Sequence, residues 1–164
     1  MKRLFFGILL ASSLPVMAMG KMPQTEGQSN TRPAVASCQL VVQDLNEKKL
    51  SRQINETQLV EILQSLNTLR QLPDYFVTKK QARDLGWRPG SYFSRIPALK
   101  GKSIGGDHFG NYERRLPQNS WQEADLDYRG NKRNAKRLVF STNAQQRYVT
   151  VDHYETFHQV PPCQ

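Results

Sequence analysis

Cysteine is scarce in this chain of 164 residues, which has only Cys38 and Cys163. No CxxC pair and no histidine-rich spacing accompanies them, so the sequence offers no zinc-type ligand set. Beyond the first residues, no segment is apolar enough to span a membrane. Acidic residues are outnumbered, 14 against 23 Lys and Arg, for a formal charge of +9. That imbalance points to an anionic partner, whether nucleic acid, anionic lipid or acidic polysaccharide. No internal repeat is visible, which excludes solenoid architectures. Gly101-Lys102-Ser103 looks like the end of a P-loop, but Ile96 stands where its first glycine is required. The strand–loop–helix context is also missing, so nucleoside triphosphate binding is excluded.

What the chain does have begins with a leader. Lys2-Arg3 is a short positive region, Leu4 to Leu14 is mostly apolar, and Val16-Met17-Ala18 offers small residues for cleavage. The pattern predicts a signal peptide over residues 1–18, and hence a secreted or periplasmic protein. Residues 19–50 are read as an N-terminal extension, flexible in its Gln-, Ser-, Gly- and Pro-rich first part and unassigned from Cys38 onward. A functional domain is expected over residues 51–164. In an exported chain the two cysteines are expected to form a Cys38–Cys163 disulfide. Closing so long a loop is worth on the order of 4–5 kcal/mol in the chain-entropy model.

Leu59, Ile62, Leu63, Leu66 and Leu69 fall at helical spacing, with Asn55 and Gln58 as a capping pair and Leu72-Pro73 as the stop. A shorter helix is predicted over Thr78–Leu85, capped by Thr78 and Gln81 and ended by Gly86. Lys79 then lies in the first turn, where free backbone N–H groups favour an anion. Period-two patterning predicts strands at Ser103–His108, Ser120–Leu126, Lys136–Thr142, Gln146–Val151 and Glu155–Gln159. Short connections imply an antiparallel sheet, and helices followed by strands imply an α+β fold, with N-terminal helices packed on a C-terminal sheet.

The chemistry concentrates between Trp121 and Phe157. Glu123 shares one strand face with Trp121 and Asp125, while Ala124 points the other way. Arg133 and Arg137 stand in a basic cluster with Arg129, Lys132 and Lys136, and His153 sits between Asp152 and Tyr154. A carboxylate can take a proton, a histidine can give one, and paired arginines can hold a phosphate. Taken singly, each has an ordinary reading as surface charge.

Several collinear motifs carry more. Leu72-Pro73-Asp74-Tyr75-Phe76-Val77-Thr78-Lys79, Leu85-Gly86-Trp87 and Gly101-Lys102-Ser103-Ile104-Gly105-Gly106-Asp107 form the first group. Trp121-Gln122-Glu123-Ala124-Asp125, Arg133-Asn134 with Arg137, and Asp152-His153-Tyr154-Glu155-Thr156-Phe157 form the second. Together they resemble the microbial guanyl-preferring ribonucleases of the barnase-like type, over more than half of the mature chain.

The resemblance implies a metal-free endoribonuclease that needs no cofactor. It implies that single-stranded RNA is cleaved after guanosine through a 2′,3′-cyclic phosphate. Glu123 matches the general base and His153 the general acid, while Arg133, Arg137 and Lys79 match the cations around the phosphate. Phe109, Asn111, Tyr112 and Glu113 match the base-reading loop, with Glu113 as its carboxylate, and Tyr154 offers a face to a base. A small acidic inhibitor of the barstar type is implied as a partner, and a monomer is expected.

The chain departs from the family pattern at Tyr112, where an arginine is usual before the loop glutamate. Lys136, between the two arginines, is expected to make the phosphate region more basic. The other reading is a cationic RNA- or surface-binding protein on the same fold without turnover.

Overall fold

The computed structural model describes residues 34–141 and 146–164. The expected signal peptide, the first part of the extension and Thr142 lie outside the described residues. Two helices, α1 (Cys38–Lys48) and α2 (Glu56–Thr68), precede β1 (Phe76–Val77) and a third short helix, α3 (Lys79–Asp84). After two 3-10 turns come β2 (Ser103–Phe109), β3 (Trp121–Asp125), β4 (Arg137–Phe140), β5 (Arg147–Thr150) and β6 (His158–Gln159). The six strands form one sheet in sequence order. This is the expected α+β fold, antiparallel except that β1 pairs with β2 in parallel.

Helix α1 fills the part of the expected N-terminal extension that the sequence leaves unassigned, from Cys38 onward. Ser37 caps the helix by accepting from the Leu40 N–H, and Cys38, Val41, Val42 and Leu45 form a buried stripe at helical spacing. The stripe was hidden because Leu40, inside the same apolar run, faces solvent. The buried Asn46 side chain then joins α1 to the following loop, donating to Ile54 O at 3.3 Å and Glu56 Oε1 at 2.8 Å. These bonds satisfy a polar group that would otherwise be costly to bury. The packed domain therefore begins before residue 51.

Helix α2 starts at its expected cap, where Asn55 accepts from the Gln58 N–H at 2.9 Å. The reciprocal bond of a capping box is replaced by a longer-range one. Asn55 N–H donates to Asp127 Oδ1 at 3.0 Å, and Asp127 N–H donates to Gln58 Oε1 at 2.8 Å. The helix stops at Thr68, because Arg70 turns into the left-handed region with φ 59°, and Leu69 is left exposed rather than in the stripe.

Strand alternation divides the sheet into two faces. Ala124, Leu138, Phe140 and Val149 join α1 and α2 in the main core. Trp121 and Val139 lie on the other face among Phe109, Tyr148, Tyr154 and Phe157. Glu123 pairs with Val139, Asp125 with Arg137, and Arg137 with Thr150, so this register puts the charged residues on the second face. The predicted strand over Glu155–Gln159 shrinks to His158–Gln159, since Asp152 gathers residues 150–156 into a turn.

Cys38 and Cys163 form a disulfide across a sequence separation of 125. Beside it Cys38 N–H donates to Gln164 O and Gln164 N–H to Ala36 O, both at 3.0 Å. Asn67 Nδ2 also donates to Cys163 O at 2.9 Å, so α1, α2 and the C-terminal segment meet at one point. Replacing both cysteines with alanine should lower the urea-unfolding free energy by about 5 kcal/mol in the chain-entropy model. An unchanged unfolding midpoint would contradict that contribution.

Candidate active site

Glu123 occupies the centre of the second sheet face and is 8% exposed. Its Oε1 receives the Lys79 ammonium at 2.7 Å, and its Oε2 accepts from the Tyr154 hydroxyl. Burial by itself would raise the pKa of this carboxyl. The Lys79 ammonium, the Tyr154 hydroxyl and the nearby Arg137 charge outweigh burial and hold it below the usual carboxylate range. Tyr154 is pushed the opposite way, by burial first and then by the Glu123 carboxylate, so it stays protonated and can donate.

Lys79 is placed by its helix. Thr78 and Gln81 form the expected capping box. The anion expected at the first turn is the chain's own Asp107, whose carboxylate accepts from the Lys79 N–H at 2.9 Å. A bulge in β2 makes this possible, because Gly106, with φ 91°, is inserted opposite the Ala124–Glu123 step. A left-handed bulge residue is best supplied by glycine. The lysine side chain is thereby aimed at the sheet and not into solvent.

Asp125, 1% exposed, organises both arginines. Arg133 meets it with two parallel bonds, Nε to Oδ2 at 2.6 Å and Nη2 to Oδ1 at 2.7 Å. Arg137 Nε lies 3.0 Å from Oδ1, close enough for an ion pair but too poorly aligned for a hydrogen bond. Arg137 Nη1 is held instead by the carbonyls of Asn134 and Lys136 at 2.8 and 2.7 Å. Lys136 does not join them. Its ammonium pairs with Asp127 at 2.8 Å and bonds Gln53 O, which corrects the expectation that it adds charge to the phosphate region.

His153 and Tyr154 adopt φ values of 57° and 75°, adjacent left-handed positions that are rare for such side chains. Five hydrogen bonds hold them there. His153 N–H donates to Ala135 O at 3.1 Å, and Tyr154 N–H donates to Thr150 Oγ1 at 3.0 Å. Asp152 accepts from Thr150 and from both the backbone and hydroxyl of Thr156. Desolvation would raise the Asp152 pKa, but the bonds from Thr156 and Thr150 together outweigh it and hold it down at about 2. The His153 ring remains exposed beside Tyr154, with ring centroids 4.8 Å apart.

The Phe109–Glu113 loop closes one side of a cavity of about 340 Å³. Phe109, Asn111, Tyr112, Glu113 and Tyr154 line it, with Glu123 and Phe157. Phe109 stacks on Tyr154 at 5.2 Å, making an aromatic wall. Asn111, with φ 44°, clamps the loop by exchanging bonds with Leu116 N and O at 3.0 and 2.7 Å. The Tyr112 ring lies over Gly110, where an added Cβ would fall 2.3 Å from it. All ten catalytic and substrate-binding candidates are thus part of one continuous face.

A family model described as ribonuclease matches residues 63–161. The chain belongs to the ribonuclease family. It is 39% identical over 125 residues to a ribonuclease of Bacillus intermedius, spanning 65% of this chain and 76% of that one. It is 47% identical over 94 residues to a ribonuclease of Heyndrickxia coagulans, spanning 56% and 84%. A ribonuclease of Bacillus pumilus matches at 47% over 94 residues, spanning 56% of this chain and 57% of that one. The protein is therefore an RNA-cleaving enzyme. The matched region contains every site residue named above but neither α1 nor the disulfide.

Sequence reasoning missed four supports of this ribonuclease site: Asp107, Asp125, Asp152 and Arg115. Asp125 left a signal by sharing Glu123's strand face, Asp107 and Asp152 stand within the quoted motifs, and Arg115 left none. Arg115 bonds Glu113 Oε2 at 2.7 Å. Among the described residues no group of three or more His, Cys, Asp and Glu side chains could hold a metal ion.

Because the pKa of Glu123 is depressed in the fold, its ionisation stabilises the protein above the unfolded pKa. That stabilisation is lost as pH falls through the folded value. Lys79→Ala should raise the Glu123 midpoint in a carboxyl ¹³C titration. An unmoved midpoint would show that the ammonium is not what holds it down.

Proposed function

We propose that this ribonuclease cleaves single-stranded RNA after guanosine by two-step acid–base catalysis. In the first step Glu123 takes the proton of the ribose 2′-hydroxyl, whose oxygen attacks the adjacent phosphorus. His153 gives its proton to the departing 5′-oxygen, leaving a 2′,3′-cyclic phosphate. In the second step the roles reverse: His153 activates water, and Glu123 returns a proton to the 2′-oxygen as the cyclic ester opens.

The observation that carries this reading is the carboxylate of Glu123, buried yet held ionised at the base of an open cavity. A base must be unprotonated to act, and the Lys79 ammonium supplies the bias. Arg133, Arg137 and Lys79 would meet the phosphate as its charge grows. Asp125 already fixes both arginines, so little reorganisation is needed in the transition state. Each such positioned charge is typically worth on the order of 3 kcal/mol in activation free energy.

Guanosine preference would come from the loop at Phe109–Glu113. Backbone N–H groups there would meet guanine O6, and Glu113 would accept from N1 and N2, with the base against Tyr154. An unpaired base read by its edge and a stacking surface suits single-stranded RNA. Secretion is supported by the basic, apolar leader and by the disulfide, which belongs to oxidising compartments. A monomer acting on RNA, with an acidic inhibitor of the barstar type as its protein partner, completes the proposal.

Glu123→Ala and His153→Ala should each lower turnover of GpN dinucleotides by about a hundred- to ten-thousand-fold with the fold retained. Near-normal rates in either variant would overturn the assigned roles. Excess EDTA should leave activity intact, and an EDTA-sensitive enzyme would require a different mechanism.

A further inference from the structure

Arg115 joins the two loops that bound the cavity. Its Nε donates to Glu113 Oε2 at 2.7 Å, and its Nη1 donates to the carbonyl of Glu155. Its Nη2 lies 3.7 Å from the Glu155 carboxylate. Glu113 ends the base-reading loop, whereas Glu155 follows two residues after His153. Arg115 also lines the cavity itself. Its backbone is well anchored, because the adjacent Leu116 is buried and held on both N–H and C=O by Asn111.

As a stabiliser of the fold this network has little to offer. The side chains of Arg115, Glu113 and Glu155 are 41%, 74% and 73% exposed, and exposed ion pairs contribute weakly. As an orienting device it has more. Arg115 is the only hydrogen-bond partner of the Glu113 side chain among the described residues. Without it, a mostly exposed glutamate would sample several rotamers, and each binding event would have to order it. The guanidinium occupies Oε2 and leaves Oε1 without a hydrogen bond among the described residues. Its rigid fork fixes the carboxylate plane in a way an ammonium does not.

We propose that Arg115 is a positioning residue for base selection, holding Glu113 toward the cavity and tying the base-reading loop to the His153 turn. This rests on the guanosine reading given above. Arg115 need not touch the reacting phosphate. It sets which carboxylate geometry the incoming base meets, and it keeps that geometry in step with His153 through Glu155. Since the pairs are exposed, added salt should loosen the device.

The test is the ratio of kcat/KM for GpN over ApN dinucleotides in the full mature chain, with the melting temperature measured alongside. Arg115→Ala should lower the ratio about tenfold, chiefly through a higher KM for the guanosine substrate, with melting nearly unchanged. Arg115→Lys should recover part of the loss. Glu155→Gln, which keeps the backbone contact, should have a smaller effect. If the alanine variant does not fold, Arg115→Gln carries the same test, because it keeps a shorter polar stem. A ratio unchanged in Arg115→Ala, or an equal loss with both substrates, would overturn the proposal. A parent enzyme that cleaves GpN and ApN equally would instead refute the guanosine reading beneath it.

Discussion

The buried carboxylate of Asp125 is the constraint around which the site is built. It faces Arg133 in a bidentate pair and Arg137 in a longer but more deeply buried ion pair. Arg137 is itself almost wholly buried, so losing its counter-charge would leave a cation stranded beneath the sheet surface. Breaking such a pair by removing one partner typically costs about 3–5 kcal/mol. Asp125 therefore holds both arginines in place before any ligand arrives. Glu123, two residues earlier on the same strand face, depends on the same arrangement, since Arg137 helps to hold it ionised. One strand, Trp121–Asp125, thus carries both the candidate base and the carboxylate that anchors Arg133 and Arg137.

Rigid support recurs wherever a functional group would otherwise swing free. Lys79 is fixed by a capping box and by Asp107, and the left-handed His153–Tyr154 pair by Asp152 and the threonines around it. Left-handed backbone at non-glycine residues is typically strained, and the surrounding hydrogen bonds over-determine it here. On the opposite face, α1 and the disulfide close the core without reaching the catalytic groups.

Much of this was legible in the sequence, for identifiable reasons. The strand alternation through Trp121–Asp125 and the helical spacing from Leu59 to Leu66 follow local periodicity, which tertiary contacts did not override. Collinear motifs brought Lys79, Glu113, Glu123, Arg133, Arg137 and His153 into one reading, and the fold gathers them on one face. What escaped depended on contacts distant in sequence. Helix α1 was obscured by an exposed leucine within its apolar run. The turn at Asp152 replaced most of a predicted strand because side-chain oxygens compete with a ladder for backbone N–H groups. Lys136 looked like a phosphate cation until its bond to Asp127 was visible. Arg115 carried no pattern at all, since its partners come from two separate loops.

In the proposed reaction, Glu123 and His153 transfer the phosphoryl group from the 5′-oxygen to the ribose 2′-oxygen beside a selected base. The most direct measurement is product mapping on a defined single-stranded RNA at early times, with both fragment ends identified. The expected products are fragments ending in guanosine 2′,3′-cyclic phosphate, paired with fragments bearing a free 5′-hydroxyl, and the 3′-monophosphate should appear more slowly. Fragments carrying 5′-phosphates, or an RNA whose 2′-hydroxyls are methylated cut as fast as the parent, would contradict the proposed reaction.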